Sequence, residues 1–373
     1  MRRIAIATGT RAEWGLLHPV YRALDSMPGV EPLVVGGGLH LIGAHPTIGE
    51  IGVPVAAEVP MQRDGETGRT ADACALGRGI TGFSDVFARL AIDTVVVLGD
   101  RIEAFAGAAA ASVGGGLVVH VHAGDRAEGV ADEAMRHAIT KLAHAHACAT
   151  EQSAERVRRM GEDPTRVVVT GSPAIDGLDD IQPLGDDRYA ELGAPTVVVL
   201  HHPAGLPDHH ETAYAGAIAE ATAGERVVWL VSNRDPGCEA VDRVRTRTIT
   251  EHRLPSIDHL ERATFIALLK RVGANSGVLV GNSSAGLIEA AALKLPAINI
   301  GPRQAGREQP ASVLDVDGPD VDAIRAAMTT AQQLDGEGLT HPYGDGQAGE
   351  RIAALAHSLD PADRALRRKR NSY

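Results

Sequence analysis

The chain has 373 residues, 44% hydrophobic and 23% charged, with a formal net charge of −12. That length exceeds one comfortable core and suits two domains, and the composition is that of a globular protein rather than a disordered one. The acidic balance argues against a general binder of nucleic acid or anionic membrane, and no window approaches the apolar length of a membrane span.

Short runs rich in Val and Ile alternate with longer amphipathic stretches from the start, the pattern of βαβ units and parallel sheet. Strands are expected at residues 4–8, 32–36, 53–59, 94–98, 117–122, 145–150 and 167–170, with helices at 14–27, 70–90, 102–112, 132–143 and 153–160. Residues 181–194 (IQPLGDDRYAELGA) are polar, contain Gly and Pro, and read as a linker. A second series follows, with strands at 197–200, 227–231, 278–281 and 297–300 and helices at 211–222, 239–248, 260–271, 285–293 and 321–334.

The expected fold class is α/β, with two Rossmann-like doubly wound domains and an interdomain cleft: 1–180, 195–345, and C-terminal helices in 346–373 packing back on the first domain. Aromatics make up 3% of the chain against 42 glycines, so Val, Ala, Leu and Ile must fill the cores. The basic run at 364–370 reads as a solvated helix end. Cys74, Cys148 and Cys238 lie far apart with no C-x-x-C spacing, which fits a reducing compartment and no structural zinc. The N-terminus runs straight into a strand, with too short an apolar stretch for a signal peptide. A cytoplasmic protein is the expectation.

Ligands of doubly wound sheets bind beyond the carboxyl ends of strands, so strand-end residues carry the functional reading. Gly9-Thr10-Arg11-Ala12-Glu13 follows the first strand and opens a helix. It offers backbone N–H groups and an arginine to an oxyanion, although Arg11 also suits a surface pair with Glu13. Asp100 ends the run VVVLGDRIE, placed either to move a proton or to cap the next helix.

The densest cluster is His120, His122, Asp125, Arg126 and Glu128, followed by Asp132, Glu133, Arg136 and His137. Grouped carboxylates can have their pKa values pushed apart into one acid and one base. His120 and His122 point to opposite faces of one strand and cannot share a metal, so no metal is expected. Part of this segment also reads as an ordinary helix cap with an i,i+4 pair.

His201-His202-Pro203 ends the first strand of the second series, where a histidine can meet a phosphate or shuttle a proton. Asp208-His209-His210 lies in a Pro/Gly-rich stretch and reads as a solvated helix start. Gly281-Asn282-Ser283-Ser284-Ala285-Gly286, with Glu289 beyond, reads as a phosphate cradle in which hydroxyls and amides face an oxyanion. Arg303 and Arg307 follow the next strand. Carboxylates in one domain and a phosphate site in the other make the GT-B arrangement.

These motifs resemble the UDP-N-acetylglucosamine 2-epimerase family, and within it the hydrolysing branch. The likeness is carried by GTRAEWGLL at Gly9, LGDRIE at Leu98, HVHAGDRAEGVADEAMRHAITK at His120, TEQSAERVRRMGEDPTRVVVTGSPAIDGL at Thr150, SNRD at Ser232, VGNSSAGLIEAAALKLPAIN at Val280 and GPRQAGRE at Gly301.

It implies that a base removes the proton at carbon 2 as UDP leaves carbon 1, after which water adds to the glucal and releases N-acetylmannosamine. It assigns Asp100, Asp125 and Asp132 jointly to proton transfer and water placement, with His202 also in the catalytic set. Arg11, His202, Ser283, Ser284, Glu289, Arg303 and Arg307 would hold the diphosphate and ribose. Glu13, His40, Arg101, His122, Arg136, Asn233, Asp235, Asn282 and Gly286 complete the implied substrate contacts.

No cofactor is implied, a UDP-sugar is the expected partner, and a homodimer is the family expectation. The chain departs from the family at Asp125, where Glu is usual, and at Ala123, Pro302 and Ala305. These departures leave open another nucleotide sugar, such as a UDP-diacetamido-trideoxyhexose. A non-hydrolysing epimerase, a glycosyltransferase and a sugar-nucleotide binder without turnover are the competing readings.

Overall fold

A computed structural model describes residues 1–43, 46–66, 68–126, 133–232, 237–257, 260–334 and 336–372. The chain divides into two compact units: Met1–Asp125, Asp132–Asp176 and Tyr343–Tyr373 form the first, Arg126–Ala131 and Gly177–Pro342 the second.

In the first unit the strands are β1 (Arg2–Thr8), β2 (Val30–Gly37), β3 (Val55–Val59), β4 (Thr94–Leu98), β5 (Leu117–Val121), β6 (Ala145–Cys148) and β7 (Val167–Val169). They pair in parallel in the order β3-β2-β1-β4-β5-β6-β7. Its helices begin with α1 (Arg11–Asp25), α2 (Arg69–Leu90), α3 (Ile102–Val113), α4 (Glu133–Leu142) and α5 (Glu151–Arg159).

Strand alternation sorts side chains by size. Ile4, Ile6, Val96 and Leu98 face one core with Trp14 and Leu17 of α1, while Ala5, Ala7, Val95 and Val97 face the other with Phe83 of α2 and the alanines of α3. The small face lets α3 approach closely. An added Cβ on Gly107 would lie 3.3 Å from the Ala7 Cβ. A core made this way explains how so few aromatics suffice.

The second unit holds β8 (Val197–Leu200), β9 (Val227–Trp229), β10 (Val278–Gly281), β11 (Ala297–Ile300) and β12 (Val313–Val316), parallel in the order β12-β11-β10-β8-β9. Its helices are α6 (Asp186–Glu191), α7 (Asp208–Ala221), α8 (Cys238–His252), α9 (Arg262–Ala274), α10 (Ser284–Leu287), α11 (Glu289–Ala292) and α12 (Val321–Ala331). The chain then returns to the first unit as α13 (Ala348–Ser358) and α14 (Arg364–Arg367). Ile352, Ala353 and Ala356 of α13 join the core that contains Trp14 and Leu17.

Both sheets reverse direction of growth at one place, between β1 and β4 in the first and between β8 and β10 in the second. Crevices at such reversals are where doubly wound sheets take their ligands.

Four expectations from sequence need correction. The stretch 181–194 is part of the second unit rather than a free linker: Leu184 N–H donates to the Ala267 carbonyl, Arg271 pairs with Asp186, and Tyr189 of α6 is buried. The helix expected at 285–293 is split at Ile288 into α10 and α11. Strand β12 was not foreseen, because four residues with one Asp give little periodic signal. The basic tail is solvated only in part: Lys369 reaches the buried Glu162 (2.7 Å) and Leu366 is buried, while Arg364, Arg367, Arg368 and Arg370 stay exposed. Among the described residues no helix is long and apolar enough to cross a membrane.

Candidate active site

At the β1/β4 reversal, α1 starts in a capping box. Thr10 Oγ1 accepts from Glu13 N–H (3.2 Å), and Glu13 Oε2 accepts from Gly9 N–H (2.7 Å). Glu103 crosses directly above Gly9, so that a Cβ there would lie 2.3 Å from its Cγ. Only glycine fits this approach. Glu103 is buried and held by Gln62 Nε2 (2.7 Å) and by Arg101 Nε (3.3 Å). Burial, with Glu103 adding to it, pushes Glu13 up to about 8 against the opposing pull of Arg101 and the Gly9 N–H.

His40 ties the β2 loop to β1, its Nε2 3.1 Å from Thr8 Oγ1 and its Nδ1 2.8 Å from Thr47 Oγ1, and burial pushes it down to about 4. It is therefore neutral near pH 7. Arg11 does not pair with Glu13. It forms an ion pair with Glu50 at 3.1 Å, while Glu13 turns inward to the Gly9 amide.

Next along the sheet, Asp100 follows β4 and forms an ion pair with Arg136 of α4, which is 3% exposed and also donates to the His122 carbonyl (3.2 Å). The Asp100 side chain keeps 18% of its surface open. His122 sits one residue beyond β5 at φ +60°, and that left-handed turn aims its ring. Its Nδ1 lies 3.1 Å from Asp125 Oδ2 and its Nε2 2.9 Å from Ser172 Oγ.

Asp125, 4% exposed, accepts a second bond from the Ser153 hydroxyl (2.9 Å). His120 points to the opposite side and bonds the Gly99 carbonyl (2.8 Å). Asp100, Arg136, His122 and Asp125 thus form one connected group. Asp132 lies outside the described residues, as do Asn233 and Asp235.

In the second unit the β8/β10 reversal brings His202 and Asn282 together. Asn282 Oδ1 accepts from the His202 N–H (2.7 Å), and Asn282 Nδ2 donates to the His202 carbonyl (2.8 Å). Gly281, at φ +143°, lets the two strand ends touch, since a Cβ there would lie 2.1 Å from the Leu200 carbonyl oxygen. The Asn282 carbonyl accepts from Gln304 Nε2 (2.7 Å) and Arg303 Nη1 (3.3 Å).

Ser283 caps α10 through the Ala285 N–H (3.3 Å), with Ser284 and Gly286 in the same turn. Glu289 pairs with Arg262 (3.6 Å), and Arg307 Nε donates to the Arg126 carbonyl (2.9 Å). Burial, and then Arg303, pushes His201 down to about 3 and His202 well down. Both ring nitrogens of His201, Nδ1 and Nε2, are buried without a hydrogen bond among the described residues.

Sequence reasoning passed over Ser153, Ser172, Glu103, Gln304 and Arg262. Ser153, Ser172, Glu103 and Gln304 lie inside motif runs that were singled out, but only the folded chain shows what each touches. Arg262 had no local signal. Because Asn282 bonds both the N–H and the carbonyl of His202, Asn282→Ala is expected to cost about 2 kcal/mol through the loss of two buried hydrogen bonds. Urea unfolding at pH 7 measures this, and a change under about 0.5 kcal/mol would contradict it.

Two doubly wound parallel domains, each with polar groups at its strand-order reversal, define a GT-B-like α/β protein. A family model described as UDP-N-acetylglucosamine 2-epimerase matches residues 22–357, and the chain belongs to that family. It is 33% identical to the UDP-N,N'-diacetylbacillosamine 2-epimerase (hydrolyzing) of Legionella pneumophila, covering 100% of both chains. It is 30% identical to the UDP-N-acetylglucosamine 2-epimerase of Neisseria meningitidis, over 85% of this chain and 84% of that one. Among solved structures, UDP-GlcNAc 2-epimerase from Neisseria meningitidis bound to UDP-GlcNAc matches with a TM-score of 0.78 at 18% identity, over 96% of this chain and 100% of that one. That last likeness is one of fold.

Proposed function

We propose that the chain is a hydrolysing 2-epimerase of UDP-linked 2-acetamido sugars. A carboxylate takes the proton from carbon 2, the carbon 1–oxygen bond breaks, and UDP departs, leaving a 1,2-unsaturated sugar. Water then adds its oxygen to carbon 1 while a proton returns to carbon 2 on the opposite face, and the free 2-epimeric sugar leaves. The observation that carries this reading is the match along the whole chain to the hydrolysing relative from Legionella. The same observation favours UDP-N,N'-diacetylbacillosamine as substrate. UDP-N-acetylglucosamine is the second reading, favoured by the relative from Neisseria.

Asp100, Asp125 and Asp132 share the proton transfers. Asp100 keeps an open face beside Arg136, so that a substrate can reach its carboxylate as the base. Asp125 is gripped by His122 and Ser153, which suits a group that must hold one orientation through both stages. The shorter Asp in place of the usual Glu enlarges the space in front of it by about one methylene, room that a sugar with a second acetamido group would use. Ser283, Ser284, Arg303 and Arg307 receive the diphosphate and stabilise the charge that develops as UDP leaves. His202, neutral, donates a hydrogen bond there rather than a charge, and Glu289 accepts from the ribose hydroxyls.

Incubating EDTA-treated protein with each UDP-sugar in deuterated water and following products by NMR tests the proposal. The expected result is free UDP and the 2-epimeric free sugar with deuterium at carbon 2. An epimerised sugar still linked to UDP would make the enzyme non-hydrolysing. Neither UDP release nor exchange at carbon 2 with either substrate would overturn the reading.

A further inference from the structure

Glu162 is 2% exposed yet meets Lys141 at 2.6 Å, Lys369 at 2.7 Å and His146 at 3.0 Å. Lys369 also donates to the carbonyls of Thr140 (3.0 Å) and Lys141 (2.6 Å), and Ser372 N–H donates to the Gly161 carbonyl (2.8 Å). These bonds fix the C-terminal tail against the first unit as a wall. Behind it lies a cavity of about 550 Å³ whose lining includes His144, Arg166, Arg364, Arg368, Lys369 and Arg370.

The acids of this cavity are already engaged. Glu162 is shared by two ammonium groups, and Asp163 caps Thr165 (3.0 Å) and lies 3.7 Å from Arg166. The guanidinium groups of Arg364, Arg368 and Arg370 have no hydrogen bond or ion pair among the described residues. His144 Nδ1 accepts from Val118 N–H (3.1 Å), so the neutral ring carries its proton on Nε2 as a donor. Burial, then Lys369 and Arg166, pushes this imidazole down to about 4. Three exposed arginines thus share one concave wall without an acidic partner among the described residues, in a chain of net charge −12.

We propose that this cavity binds a small polyanion, a phosphate-bearing metabolite with at least two negative charges. Its volume falls in the range of small-molecule sites, ~300–1,000 Å³, and guanidinium groups match phosphate oxygens in pairs. The concave shape and the repulsion that a net −12 imposes on extended polyanions favour a small ligand over nucleic acid or membrane.

The site is distinct from the candidate active site. His144 and Arg166 precede β6 and β7 at the amino edge of the sheet, whereas Asp100 and His122 follow β4 and β5 at the carboxyl edge, roughly 13 Å away at the rise of a strand. It does not depend on the reaction proposed above.

The test is titration calorimetry of the full chain with pyrophosphate, in the presence of saturating UDP to occupy any phosphate cradle in the second unit. The expected result is a pyrophosphate site in wild type that weakens by about tenfold or more in R364Q/R368Q/R370Q, with a steep salt dependence. Lys369 is left in place because it anchors the tail. R368Q alone, checked for an unchanged thermal midpoint, is expected to lose about threefold and decides the matter if the triple variant is misfolded. Equal pyrophosphate affinity in R368Q and wild type, or no binding to wild type, would overturn the proposal. So would binding of RNA or phosphatidylserine vesicles that pyrophosphate fails to displace.

Discussion

Asp100→Asn is expected to lower kcat by roughly 10³-fold while leaving UDP affinity within about twofold, because it removes a proton acceptor and leaves the nucleotide cradle intact. The substitution keeps an oxygen for Arg136 and nearly the same shape, and Arg136 retains the His122 carbonyl as a second acceptor. Loss of the opposing charge beside a guanidinium only 3% exposed is nevertheless expected to cost about 1–3 kcal/mol. Steady-state kinetics, UDP titration and urea unfolding on the same sample separate these effects. Turnover within about tenfold of wild type, with the stability loss present, would reduce Asp100 to a counter-ion for Arg136.

A second large effect is expected away from the chemistry. Burial alone would raise Glu162, but bonds from His146, Lys141 and Lys369 outweigh it and hold the carboxyl at about 2. A folded-state pKa below that of the unfolded chain means stability that is fully present above about pH 4.5 and drains away as pH falls toward 2. That difference corresponds to about 3 kcal/mol. Lys369, pushed down by burial, offsets part of it. Glu162→Gln is therefore expected to lose about 2–3 kcal/mol at pH 7 and to flatten the decline in stability between pH 4.5 and 2. Urea midpoints across that range check this. A variant that keeps the wild-type acid profile would show that other carboxylates govern it.

The pairing of these two results is informative about the fold. Asp100 and Glu162 are both carboxylates facing cations, yet one keeps an open face at the carboxyl edge and the other is sealed at the amino edge. Burial and the number of donors separate the two: Asp100 pairs with Arg136 and keeps an open face, whereas Glu162 meets three donors and fixes a tail.

Much of this protein was written in local pattern. Alternating Val/Ile runs and amphipathic stretches set the two α/β domains, since a parallel strand buried on both faces must be apolar and its return helix must show one apolar stripe. Strand-end motifs such as LGDRIE, HVHAGDR and GNSSAG put Asp100, His122, Asp125, Asn282 and Ser283 just beyond β4, β5 and β10, where the fold has them, because turn chemistry and capping are local. The sequence also carried the family resemblance.

What it left undecided depended on partners remote in the chain. Arg136 reaches Asp100 across 36 positions, Ser172 reaches His122 across 50, and Asn282 reaches His202 across 80. Lys369 reads as one more solvated charge of the basic tail until it is seen compensating Glu162. No periodicity encodes such pairings, because they are chosen by burial: a polar group removed from water must find its complement wherever the folded chain has put one.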